Sequence, residues 1–70
     1  MANFWQGSEP TTCDCCNKAI VGSFIDGKTI YGSWAVMDPA CHKKLGMGLG
    51  IGKGQQYNRQ QDGTWMKVKG

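Results

Sequence analysis

Two short segments, Cys13-Asp14-Cys15-Cys16 and Asp38-Pro39-Ala40-Cys41-His42, hold all four cysteines and the only histidine of this 70-residue chain. They constrain the fold because a chain this short buries only about 60% of the surface its unfolded form exposes. Small domains usually add a staple, either disulfides or a structural metal, and eleven glycines raise the entropy that folding must overcome. Four cysteines permit three disulfide pairings. The opening residues Met1-Ala2-Asn3-Phe4-Trp5-Gln6 show no basic start followed by an apolar run, so no secretory signal is expected. The longest apolar runs fall far short of the roughly 20 residues that span a bilayer, so no membrane association is expected either. A reducing, cytoplasmic setting follows as an expectation. There, clustered cysteines serve as metal ligands more often than as disulfides.

Cys13 and Cys16 have C-x2-C spacing followed by Asn17-Lys18, the pattern of a zinc knuckle. Two sulfurs three residues apart in a tight turn can both reach one ion at about 2.3 Å. Asn17 stands where a left-handed backbone is often needed, and asparagine tolerates it better than most residues. Cys15 cannot easily share its neighbours' geometry and reads as a free or packed thiol, with use in place of Cys13 the lesser alternative. Downstream, Asp38-Pro39 is a helix start, because Asp is a favoured N-cap and Pro suits the first helical position. The expected helix runs from Pro39 to about Leu45, with Gly46 as its C-terminal glycine. Cys41 then falls in the first turn as the third ligand. The fourth ligand stays open. Asp38 has the C-x2-C spacing to Cys41, and carboxylates bind zinc at about 2.0–2.2 Å. His42 is the commoner ligand, but adjacent helical side chains diverge by about 100°. Ligand chemistry puts His42 slightly ahead, and spacing favours Asp38.

Between the two ligand segments the chain reads as strands. Ala19-Ile20-Val21 and Ser23-Phe24-Ile25 lead to Asp26-Gly27, then Lys28-Thr29-Ile30-Tyr31, and Asp-Gly between such runs is a hairpin signal. Gly32-Ser33 interrupts, and Trp34-Ala35-Val36-Met37 resumes with Trp34 as the expected largest core side chain. Residues 46–54 place glycine at every second position, which suits extended chain with one bare face. They match neither phosphate-loop motif: GxxxxGK[ST] fails at Met47 and Gly54, and GxGxxG fails at Ile51. A second Asp-Gly, Asp62-Gly63, sits between Gln55–Gln61 and Thr64–Lys69 and predicts a second hairpin. In its last strand Trp65, Lys67 and Lys69 would face one way and Met66 and Val68 the other.

Knuckle, hairpin and a ligand in a helix's first turn is the order of a treble-clef zinc finger. The fold class expected is therefore a small α+β metal-stapled domain. It comprises a treble-clef-like finger, a glycine-rich strand at 46–54 and a basic C-terminal hairpin at 55–70. Residues 1–12 are expected to form a flexible arm ahead of this single domain at 13–70, with Phe4 and Trp5 folding back over an incomplete core or meeting a partner.

Several stretches together resemble small, mostly uncharacterised zinc-finger proteins of phages and prophages. They are Cys-Asp-x-Cys, Phe-Ile-Asp-Gly-Lys-Thr, Trp-Ala-x-Met, Pro-x-Cys-His and Gly-x-Gly-Leu-Gly-x-Gly-x-Gly-Gln-x-Tyr, and they cover roughly residues 13 to 57. The resemblance implies a zinc-binding accessory protein. Its pattern places a cysteine at position 38, where this chain has Asp38, so Asp38 or His42 would substitute.

Charge is uneven. Residues 1–42 carry Lys18 and Lys28 against Glu9, Asp14, Asp26 and Asp38, for a net −2. Residues 43–70 carry Lys43, Lys44, Lys53, Arg59, Lys67 and Lys69 against Asp62, for +5. With Tyr57 and Trp65 among these cations, the second half has the composition of nucleic-acid surfaces, or simply of a solvated face. The expected function is a non-catalytic accessory protein with one structural Zn2+ that binds nucleic acid through its basic half. The alternative is an inhibitor or adaptor that binds a host protein through the glycine-rich strand and exposed aromatics. No small-molecule substrate is expected. A single histidine cannot both hold a structural ion and act as base, and no paired carboxylates stand near it. A redox C-x-x-C lacks a surrounding βαβ pattern.

Overall fold

The computed structural model describes Phe4, Trp5, Gly7 and residues 9–70. It is a small α+β fold: strands β1 (Ser23–Lys28), β2 (Trp34–Met37), β3 (Gly54–Arg59) and β4 (Trp65–Lys69), with one helix, α1 (Pro39–Leu45), between β2 and β3. All neighbours in the sheet are antiparallel and the spatial order is β2-β1-β3-β4. Helix α1 packs against β1 and β2, which carries its first turn to the knuckle at Cys13–Cys16.

The core is built on β1. Phe24 is fully buried, stacked on Tyr57 at 5.1 Å and edge-on to Trp65 and Trp5 at 5.0 and 5.1 Å. Cys13, Ile20 and Met37 complete the same cluster. Trp65 is only 3% exposed, and its indole Nε1 donates to Glu9 Oε1 at 3.1 Å. Trp34, expected in the core, is instead 48% exposed on edge strand β2. The difference is one of position: Trp65 lies beside Arg59 in the β3–β4 pairing and meets Phe24, whereas Trp34 pairs with Lys28 at the far end of β1.

The first expected hairpin turn is displaced. Asp26-Gly27 lies inside β1, and the reversal occurs at Ile30-Tyr31-Gly32, where the Thr29 N–H donates to Ser33 O and the Gly32 N–H to Thr29 O. Glycine serves close strand approach instead. Gly27 pairs with Gly54, and a Cβ on Gly54 would lie 3.1 Å from Gly27 Cα and 3.2 Å from Gly48 O. That non-local fit overrides a local turn signal.

The glycine-rich stretch is likewise not an extended strand. Gly48, Gly50 and Gly52 have φ of 90°, 127° and 76°, and the chain turns tightly so that Gly50 bridges Gly54. Period-two glycine here marks alternate left-handed backbone positions, which glycine adopts without penalty. The turn leaves Ile51 98% exposed.

Asp62-Gly63 does form the β3–β4 turn. The Gly63 N–H donates to Gln60 O, and Asp62 Oδ1 accepts from the Thr64 N–H and hydroxyl. In β4 Trp65 is buried, and a register shift between Gln56 and Tyr57 skips Val68, which is 42% exposed and breaks the alternation only at the end of the strand. Of the expected arm, residues 1–3, 6 and 8 lie outside the described residues. Phe4 bridges to Met66, and the Trp5 N–H donates to Trp65 O at 2.9 Å, so the described part folds back over the core.

Candidate metal centre

The knuckle forms because its turn closes on itself. The Cys13 N–H donates to Lys18 O, the Asn17 N–H donates to Cys13 O, and Asn17 adopts φ 64° as its place in the turn requires. Thr12 pairs with Ala19 and the Ile20 N–H donates to Thr11 O, making the flanks a narrow ribbon. Asp14, which the sequence did not single out, fastens this ribbon to the sheet. Its N–H donates to Val36 O at 2.8 Å and its Oδ2 accepts from the Val36 N–H at 2.9 Å.

Helix α1 begins where expected. Asp38 is the N-cap, its Oδ1 accepts from the Cys41 N–H at 2.7 Å, and Pro39 occupies the first position. Gly46 ends the helix with its N–H donating to His42 O, though its φ of −79° is not left-handed. Glycine is needed there because a Cβ would collide with the His42 ring.

These two local structures bring one ligand atom each from Cys13, Cys16, Asp38 and Cys41 within 4.8 Å of one another. Four ligands around a tetrahedral zinc with Zn–S bonds of about 2.3 Å stand about 3.8 Å apart, so the cluster needs only a small contraction to close on an ion. The four cysteines are free thiols, not disulfides. Cys13, Cys16 and Cys41 take their expected places. The fourth member of the cluster is Asp38, and His42, which ligand chemistry put slightly ahead, is not in it. The His42 imidazole is turned away to bond Gly48 O through Nε2 at 3.0 Å, as the angular divergence of adjacent helical residues demands. With Oδ1 held by the Cys41 N–H, Asp38 presents Oδ2 to the Cys16 thiol at 3.1 Å.

The electrostatics suit a cation. Burial pushes the Cys13 thiol up, but the backbone N–H groups of Asp38, Cys16 and Cys15 and the Cys41 thiol outweigh it and hold Cys13 below the usual range. The Asp38 and Cys15 N–H groups both lie 3.4 Å from Cys13 Sγ. The Cys41 N–H, then the Cys16 thiol, lower the Asp38 carboxyl. Cys41 is pushed up to about 12 by burial and by its crowd of acceptors, Cys16, Cys13 and Asp38. Such a group ionises when a dication supplies the missing positive charge. Cys15 is exposed and outside the cluster. Burial and the charge on Cys13 raise its thiol, in keeping with a bystander.

The residues expected to contact a partner fall into two groups. Lys43, Lys44, Lys53 and Lys69 are exposed, and Arg59 is exposed with its guanidinium 3.7 Å from Glu9 and over the Trp65 ring at 5.5 Å. Lys67 is half-buried. Tyr57, half-buried against Phe24 and Trp5, and Trp65 belong to the core. Among the described residues, Tyr31 at 77% and Trp34 at 48% are exposed aromatics on the opposite side of the sheet order from β4, and Phe4 at 44% is exposed beside β4. Among the described residues no helix is long and apolar enough to cross a membrane. No family model, curated protein or solved structure matches the chain.

Proposed function

We propose that this chain is a non-catalytic binding module folded around one structural zinc ion, in the manner of a treble clef. The observation that carries the reading is the convergence of three sulfurs and one carboxylate oxygen within 4.8 Å. Cys13, Cys16, Cys41 and Asp38 would hold the ion, and a thiolate-rich tetrahedral set selects zinc over harder cations. Bound there, zinc ties the knuckle to the helix and contributes folding free energy on the order of 10–16 kcal/mol, which a core of this size needs. Four protein ligands leave no open position for chemistry, and the lone histidine is engaged with Gly48 O. The same reading suits the phage-type zinc-finger proteins that residues 13–57 resemble, with Asp38 in the place of their cysteine. Metal analysis of the purified chain tests it: one zinc per chain is expected, and a folded chain without metal overturns it.

As partner we infer a protein. Tyr31 and Trp34 are the kind of side chain that interface cores enrich, while the aromatics a nucleic-acid surface would stack on bases, Tyr57 and Trp65, are taken up by the core. Nucleic acid is the second reading, favoured by the exposed Lys43, Lys44, Lys53 and Lys69. Contact would then be with phosphates alone, and log affinity for a labelled oligonucleotide should fall with log salt by about one unit per phosphate. Salt-insensitive binding sinks that version.

A further inference from the structure

The knuckle and the Thr29–Ser33 turn border an open pocket of about 440 Å³, lined by Asp14, Cys15, Tyr31, Trp34 and Leu45 among others. We propose that it receives an arginine or lysine side chain from an extended segment of a protein partner, whose backbone adds to the open edge of β2 at Trp34. The inference rests on reading the chain as a protein-binding module, and it names the chemistry of that partner.

The edge follows from the register. Both backbone groups of Val36 are taken by Asp14, so in the antiparallel alternation Val36 faces outward from the sheet. Gly27 and Ala35 then form a bonded pair, and Trp34, two residues before Val36, faces outward again. Lys28, opposite Trp34, agrees: its N–H donates to Lys53 O and its C=O accepts from the Met47 N–H. The knuckle thus caps the β2 edge at Val36 and leaves an N–H and a C=O at Trp34 for an added strand.

The pocket beside this edge matches a long cationic side chain. Trp34 and Tyr31 line it with aromatic rings, which attract a cation, and Leu45 adds apolar surface for its stem. Asp14 accepts from Val36 through Oδ2, which leaves Oδ1 for a donor. Three thiolates and a carboxylate around a dication keep the neighbouring metal centre net negative, adding to the acidic balance of residues 1–42. The site is also built in advance. Thr29, 4% exposed, donates its hydroxyl to Ser33 O at 2.9 Å and accepts from the Tyr31 N–H at 3.3 Å, fixing the turn that displays Tyr31. Little ordering cost is left to binding.

The test is an NMR titration of the zinc-loaded, isotope-labelled chain. The probes are an end-blocked Ala-Ala-Arg-Ala-Ala peptide and its citrulline counterpart, which keeps the shape and removes the charge. Saturable shifts at the Trp34 amide and indole, Tyr31 and Asp14 are expected, with affinity at least about tenfold weaker for citrulline and for the Asp14→Asn chain. Asn keeps an acceptor for the Val36 N–H, so this variant spares the fold. Absent shifts, equal affinity of the two peptides, or the same resonances moving with a poly-glutamate peptide or an oligonucleotide would overturn the proposal. Zinc is counted in the same samples. An unshifted pocket in a one-zinc chain removes the docking site alone, and a shifted pocket in a metal-free chain removes the zinc reading alone.

Discussion

Replacing Asp38 by asparagine should separate two jobs that one carboxylate performs. Oδ1 caps helix α1 through the Cys41 N–H at 2.7 Å, and Oδ2 completes the ligand cluster. Asparagine keeps a cap acceptor, since Asn and Asp are about equal at this position, but it loses the anionic ligand. If a structural zinc contributes on the order of 10–16 kcal/mol over four ligands, one ligand accounts for about 3 kcal/mol, or about a hundredfold in zinc affinity. At a fixed free zinc concentration about one hundred times the wild-type dissociation constant, that loss lowers metal-linked stability by about 2.3 kcal/mol. Asp38→Ala should lose the same amount plus about 1 kcal/mol for the missing cap. Competition against a chromophoric chelator reads the affinity, and denaturant unfolding under zinc buffering reads the stability. His42→Ala is the control and should leave zinc affinity unchanged, because that imidazole bonds Gly48 O. Wild-type affinity in Asp38→Asn, or loss of zinc in His42→Ala, would refute the assignment.

Cys15→Ser should retain one zinc per chain while Cys16→Ser does not, since only Cys16 belongs to the cluster; metal analysis distinguishes them. Trp65→Ala should cost about 3–5 kcal/mol, whereas Trp34→Ala, at a half-exposed edge position, should cost less than about 1 kcal/mol, both by urea unfolding. Gly54→Ala should destabilise by about 1–3 kcal/mol, because its Cβ would press on the backbone of Gly27 and Gly48. Burial raises the Asp26 carboxyl above its ordinary value, so the fold prefers the proton and loses stability as pH rises from the ordinary carboxylate pKa through the raised one. Asp26→Asn should therefore raise the melting temperature at neutral pH. The gain should shrink as pH falls through the raised pKa, and a pH series of melts on the zinc-saturated chain checks the sign.

The sequence alone determined what depends on neighbours in the chain. Cys13-x2-Cys16-Asn17 forms its turn, Asp38-Pro39 starts a helix, and Asp62-Gly63 reverses the chain, because spacing, capping and left-handed tolerance act over a few residues. Tertiary structure decided everything that needs a distant partner. Asp26-Gly27 is strand and not turn because Gly27 lies against Gly54. Trp65 and not Trp34 is buried because only Trp65 reaches Phe24. The alternating glycines coil back because Gly50 meets Gly54. The fourth ligand shows the division most clearly: in the sequence, ligand chemistry put His42 slightly ahead while spacing favoured Asp38. Once the helix was capped by one carboxylate oxygen, its geometry sent the other oxygen toward the sulfurs and the imidazole toward Gly48.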